Sequence, residues 1–571
     1  MARLSIRRAV AAASAGLLAA GMLAACSFSG GGGPTGSLSV EYNDVSTLDP
    51  QVVTWGEWLD SAALLEGLVV LNSTGTGVVP GVAQSWTESA DGLTYTFALR
   101  DTKWSDGQPL TAQDFLFAYQ RLLKPSTAGT GVTQGARSFV PSIGIKGAQD
   151  FVLGKTKDWK SVGIQAPDDR TVRFTLASPN NDFLIGLTHP SMLPLPAHVL
   201  KAKPKDWEKP ANWVGNGAYV VKTWTLNSAM TLVPNKQYWD QSGVKLSQIT
   251  LHLTDDLTQA GVHYQSKQVD VALLLSPDVK RFQADPALRA RLVPVRNAYS
   301  SYLAVLHSKN PALDDVRVRQ ALSLAMGREG IVQTCSACRP SYSLVSDTVP
   351  AAREAAGVTE NVGQAKALLA QAGYRNGAGL PTVHILVNNT PNPLLEAIVD
   401  TWQRNLGIKA KVDVLETGVY VQRRQALQEA DTIGFYEGSF ASYSTWRSWT
   451  ATLWDPPSVK KFSIPSSKWQ GYLTAQASGD PVAYANANAS PPATQFGTLV
   501  DQAIATKDPA AAIKLFQQAA RVRQDTYLIL PTIYTDSMYV VRSGVTGLQP
   551  RLGPLLPFTF KGVGVTAQSG K

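Results

Sequence analysis

Cysteine is nearly missing from this chain, which holds only Cys26, Cys335 and Cys338 in 571 residues. So few thiols exclude a small domain framed by cross-links. Histidine is almost as scarce. His189, His198, His252, His263, His307 and His384 never stand at ligand spacing with one another or with a cysteine, so there is no zinc signature. Charged residues make up 17% and leave a formal excess of +9. That excess is dispersed beside acids, as from Asp314 to Arg319. With no basic stripe carrying interleaved aromatics, nucleic acid is not an expected partner. The G-x-S-x-G elbow of a serine hydrolase is absent. Gly154-Lys155-Thr156 imitates the end of a phosphate loop, but its first glycine would fall at Gln149. With no catalytic or metal-binding set, neither an enzyme nor a cofactor is expected.

What the chain does have begins at the amino terminus. Arg3, Arg7 and Arg8 precede a mostly apolar stretch, Ala9 to Ala25, which ends at Cys26. A basic region followed by an apolar one is a secretory signal layout. The alternative is a signal anchor kept as a span, for which seventeen residues sit at the lower limit. Leu23-Ala24-Ala25-Cys26 resembles the bacterial lipobox. That resemblance implies cleavage after residue 25 and acylation of Cys26, palmitate included, with anchoring outside the cytoplasmic membrane. Residues 26–37 then form a glycine- and serine-rich tether. Loss of residues 1–25 removes three arginines and lowers the charge to +6. No later stretch reaches 18 consecutive apolar residues.

The rest reads as α/β material. Alternation predicts strands at residues 37–42, 92–100 and 170–176. Thr111 is placed to cap a helix through Leu123, and Asp314-Asp315 to cap one over residues 316–326. A strand at 383–388, a helix at 394–406 closed by Gly407 and a strand at 411–415 predict a crossover unit. A helix over residues 508–523 precedes an apolar strand at 527–534. Residues 127–135 and 483–495 read as linkers. The spacing Cys335-Ser336-Ala337-Cys338 is thioredoxin-like, yet outside the cell a local disulfide is the simpler reading. A redox pair, free thiols or a metal site remain the alternatives.

Several segments together resemble the extracytoplasmic solute-binding proteins of oligopeptide and dipeptide ABC transporters. They are Leu48-Asp49-Pro50, Leu65-Glu66-Gly67-Leu68, Val79 to Trp86, Asp91 to Arg100 and the dense run Trp104 to Phe115. Farther on come Gly215-Asn216-Gly217-Ala218-Tyr219 with Pro234 to Trp239, then Asp315 to Leu322, and Ala365 to Tyr374. The resemblance implies a two-lobed α/β clamp of the periplasmic-binding-protein type (type II, cluster C) with an extra subdomain in lobe I. Lobe I would comprise residues 38–58, 196–298 and 522–571, the subdomain 59–195, and lobe II 299–521. It also implies a monomer that captures peptides between the lobes and delivers them to permease and ATPase subunits. A receptor not coupled to import, or a binder of oligosaccharide or another non-peptide solute, are the alternatives.

The same resemblance suggests where a ligand would sit. Lobe I would offer backbone from Val53, Thr54, Trp55 and Gly56. Lobe II would offer Phe435, Tyr436, Glu437, Gly438, Ser439, Phe440 and Tyr443, with Tyr534 nearby. Peptide-binding relatives hold the ligand's amino terminus with an aspartate. Here Glu437 is the only carboxylate between Thr432 and Trp454, and it does not fall cleanly on that position. Gly327, where the family usually has aspartate or asparagine, is a second departure.

Overall fold

A computed structural model describes residues 35–52, 59, 63–72, 75, 77–124, 140, 143–254, 256–389, 391–441, 445–452, 491–548 and 558–566. Cys26, residues 53–58 and Tyr443 lie outside that set. Two large mixed sheets dominate. The first joins seven strands in the order β12, β19, β11, β1, β10, β9, β8. These are β12 (Leu292–Val295), β19 (Ser537–Val541), β11 (Val271–Leu274), β1 (Ser37–Tyr42), β10 (Gln248–Leu253), β9 (Ala229–Pro234) and β8 (Tyr219–Thr225). The second has six, in the order β14, β18, β13, β17, β15, β16. They are β14 (Cys338–Pro340), β18 (Ile529–Thr535), β13 (Tyr299–Val305), β17 (Ile433–Ala441), β15 (Val383–Asn388) and β16 (Ala410–Leu415).

A four-stranded sheet stands apart, in the order β4 (Ala83–Glu88), β5 (Thr94–Leu99), β7 (Thr171–Thr175) and β6 (Ile164–Asp168). Two short pairs complete the set: β2 (Val69–Leu71) with β3 (Val78–Pro80), and β20 (Val545–Thr546) with β21 (Gly564–Val565). Among the described residues no helix is long and apolar enough to cross a membrane.

Local chemistry sets these elements. The helix Ala112–Leu123 starts at Thr111, whose backbone N–H donates to the Asp114 carboxylate at 2.9 Å in a capping box. Its apolar stripe buries Phe115, Ala118, Tyr119 and Leu122. The helix Pro393–Leu406 is capped by Asn392 and ends at Gly407, whose φ of 69° suits glycine. It links β15 to β16, which run parallel, as the crossover reading expects.

The chain passes from the first sheet to the second at residues 296–298 and returns at Asp536, between β18 and β19. The sequence reading put the return at residues 521–522. Strand β18 overturns that, because it pairs with both β13 and β14 and is buried along almost its whole length. A fully buried apolar strand completes its ladder on both sides, and the second sheet supplies both neighbours. The preceding helix, Pro509–Gln524, packs Phe516, Ala519 and Ala520 into the same body. Residues 491–495, expected in a linker, instead open the helix Pro491–Ala505, whose two leading prolines fit a first turn that lacks N–H partners.

Candidate functional site

The motif segments that are far apart in sequence meet in space. Glu66 is buried, and its carboxylate accepts from the Tyr238 hydroxyl and from Trp239 Nε1 at 2.6 Å. Burial pushes its carboxyl upward, against the pull of those two donors. Asn216 exchanges two backbone bonds with the same residue, at 2.8 and 3.0 Å. A Cβ on Gly217 would lie 2.3 Å from the Ala63 carbonyl, so only glycine fits there. A small cavity lined by Leu193, Tyr238 and Lys561 opens beside Glu66, but this carboxylate already serves the scaffold. After β1, Asp49 pairs with Arg121, and Glu208 accepts from the Leu48 N–H at 2.6 Å. These bonds hold the loop that leads into residue 53.

In α/β sheets, ligands bind beyond the carboxyl ends of parallel strands, near helix amino termini. In the second sheet that place is the end of β15, where Asn392 opens the helix Pro393–Leu406. Strand β17 runs past it. Residues 433–436 pair with β15, whereas Glu437–Ala441 have only β13 beside them among the described strands. Among the described residues, one backbone edge of Glu437–Ala441 is thus left without a strand partner. The exception is the Glu437 carbonyl, which takes the Tyr420 hydroxyl.

Side chains divide by the pleat. Glu437 is half-buried and accepts from Asn392 Nδ2 at 3.1 Å, and burial raises its carboxyl above the ordinary range. Ser439 is exposed and accepts from the Tyr299 hydroxyl. On the opposite face Tyr302 and Phe440 stack with centroids 4.5 Å apart. A Cβ on Gly438 would come within 2.5 Å of the Tyr302 hydroxyl. Arg424 lies over the Tyr420 ring, 5.5 Å from its centroid.

Three expected contacts fall elsewhere. Phe435 is fully buried and packs near Trp402 with centroids 5.8 Å apart, so it is core. Tyr436 is 6% exposed and packs in the other core layer of the second sheet. Tyr534 is 3% exposed, and its hydroxyl is taken up by the carbonyls of Ser343 and Val345. Period-two alternation explains the first two, because both faces of this inner strand are covered. Sequence reasoning missed Tyr299, Tyr302, Tyr420 and Asn392. Only the register of β13 against β17 brings the first two into the group, and no local pattern carries it. Cys335 and Cys338 are joined in a disulfide.

Beyond the crossings, a further contact links the second body to the part that carries the four-stranded sheet. Asp182 accepts from the hydroxyls of Thr445 and of Ser448, the latter at 3.3 Å, and Arg447 donates to the Pro179 carbonyl at 3.2 Å. Burial raises the Asp182 carboxyl, although both hydroxyls and Arg447 oppose it.

Two sheet-centred bodies joined by two crossings, with an open strand edge between strand ends, define a two-lobed binding protein. The family model for bacterial extracellular solute-binding proteins, family 5 Middle, matches residues 77–459, and the chain belongs to that family. It is 29% identical over 524 residues to the periplasmic oligopeptide-binding protein OppA of Escherichia coli strain K12, with 89% of each chain covered. At 29% over 522 residues it is as similar to the probable deoxycholate-binding periplasmic protein YgiS of the same organism, again with 89% of each covered. The unliganded open form of the murein tripeptide-binding protein MppA superposes with a TM-score of 0.72 at 23% identity, over 93% of this chain and 97% of that one.

Proposed function

We propose that this chain is the capture subunit of an ABC importer for peptides, anchored outside the membrane by a lipid on Cys26. The open edge of β17 at Glu437–Ala441 carries the reading. An extended peptide adds to such an edge through main-chain bonds, which tolerate many sequences, while alternate side chains enter flanking pockets. Half-buried Phe440 gives the edge an apolar wall, backed by the buried rings of Tyr302 and Tyr420. Glu437, at the start of the edge, supplies a carboxylate for a ligand ammonium. The solute favours the closed clamp by binding both lobes at once. Permease and ATPase subunits are the partners, the protein works as a monomer, and no chemistry is performed on the solute. The equal likeness to the probable deoxycholate-binding protein favours one second reading, an apolar solute without a peptide backbone.

Calorimetry with a pool of three- to five-residue peptides, set beside deoxycholate, separates the two. Peptide heats that disappear when the backbone is N-methylated support strand addition. Binding of deoxycholate alone refutes it.

A further inference from the structure

The Cys335–Cys338 loop sits on the return crossing between the lobes. Cys338 pairs with Thr535 at the end of β18, and the Asp536 N–H donates to the Ala337 carbonyl at 2.8 Å. The next residue, Arg339, clasps the Asp536 carboxylate through Nε at 2.6 Å and Nη2 at 2.9 Å. Asp536 is the residue at which the chain leaves the second sheet for the first. The other side of the loop reaches the first lobe. Ser336 Oγ donates to the carbonyl of Ser276, the opening residue of the helix that follows β11, at 3.1 Å. Ser276 Oγ lies 4.0 Å from Cys335 Sγ. One short loop therefore touches both lobes at the hinge, and its disulfide fixes the half that meets the first lobe against the half built into the second. Asn297 of the other crossing bonds Ser537 Oγ at 3.0 Å, so the two crossings are tied together and share what happens at either. Both cysteines are partly exposed.

We propose that the Cys335–Cys338 disulfide is a redox-controlled brace on the lobe hinge, and that its reduction by a dithiol loosens both crossings. The exchange balances. A thiolate of the dithiol attacks one sulfur, forming a mixed disulfide and expelling the other cysteine as a thiolate that is protonated. The dithiol's second thiolate then attacks its own sulfur in the mixed disulfide and releases the first cysteine. The dithiol, having given up two electrons, closes into its own disulfide. The freed loop regains chain entropy that the bond had removed, and the Ser336–Ser276 contact weakens with it. The regulatory meaning rests on the capture reading, but the brace itself does not.

Hydrogen exchange by mass spectrometry on the mature chain, without solute, tests it. Peptides covering residues 292–300 and 533–541 are expected to exchange roughly threefold faster or more after dithiothreitol. The double variant C335S/C338S should match the reduced chain and ignore the reductant. Ser336→Ala, with the bond intact, should move the same peptides in the same direction by less. Equal exchange in the oxidised and reduced chain overturns the proposal. So does a reduced chain that loosens everywhere while Ser336→Ala leaves both crossings unchanged. Binding of tetra-alanine, measured separately, reports on the capture reading alone.

Discussion

Arg328 is fully buried, and its replacement by methionine gives a sharp test of how the second lobe is held together. Its Nε and Nη2 donate to the Pro531 carbonyl of β18 at 2.9 and 2.7 Å. Its Nη1 serves the Ser323 carbonyl at 2.9 Å and the Glu360 carboxylate at 2.7 Å. Burial lowers the guanidinium's affinity for its proton, and Glu360 opposes the shift. Methionine keeps most of the volume and none of the donors. Two buried carbonyls then lose these partners, at about 1–3 kcal/mol each. Glu360 loses less, since it stays partly exposed and keeps the N–H groups of Gly327 and Arg328 at 3.0 and 3.1 Å. Against this stands relief from burying a cation, which replacement of such groups by apolar ones can recover. The balance is a loss of about 3 kcal/mol.

Hydrogen exchange of the amides in β18 and in the helix Val316–Leu324 is the assay, because it reports local opening without assuming that both lobes unfold together. A loss of that size speeds exchange by about 100-fold. A change below about tenfold would refute the reasoning, because it would mean that desolvating the guanidinium cancels its bonds.

Asp182 has a raised carboxyl, so its charge is disfavoured where it meets Thr445 and Ser448. The contact should be firmest at acid pH and weaken as pH rises through the raised value, and Asp182→Asn should remove that dependence in melting curves between pH 4 and 7. Glu437, also raised, should bind an amine-bearing peptide less well as pH falls through its own raised value, because the protonated acid cannot pair an ammonium. Glu437→Gln should cost such a peptide roughly tenfold in affinity by calorimetry, and unchanged affinity would dismiss the role. Gly438→Val should push the Tyr302 ring off Phe440 and weaken peptide binding while leaving the Arg328 network in place, which exchange of β18 amides would verify.

Much of the architecture was legible because it is written in local signals. Caps at Thr111 and Asp315, and the stop at Gly407, lie within a turn of the helices they bound. The segments around Glu66 and around Tyr238–Trp239 stood out only as a family resemblance, and the bonds that join them are a product of the fold. The return crossing was misplaced because strand partnership is non-local. Residues 527–534 read as an apolar strand, but nothing in their own sequence says which sheet supplies the neighbours. The candidate site was half legible for the same reason. Phe435 and Tyr436 look like pocket aromatics in sequence, and the burial of both faces of β17 turns them into core. The open edge beginning at Glu437 depends on where β15 stops beside it, a fact of register.

Native mass spectrometry of the freshly purified protein bears most directly on peptide capture at the β17 edge. The intact complex should carry extra mass that leaves on collisional activation and fragments as peptides of a few residues. A chain that carries only bile-acid-like or glycan mass, and stays unoccupied when offered peptides, would contradict it.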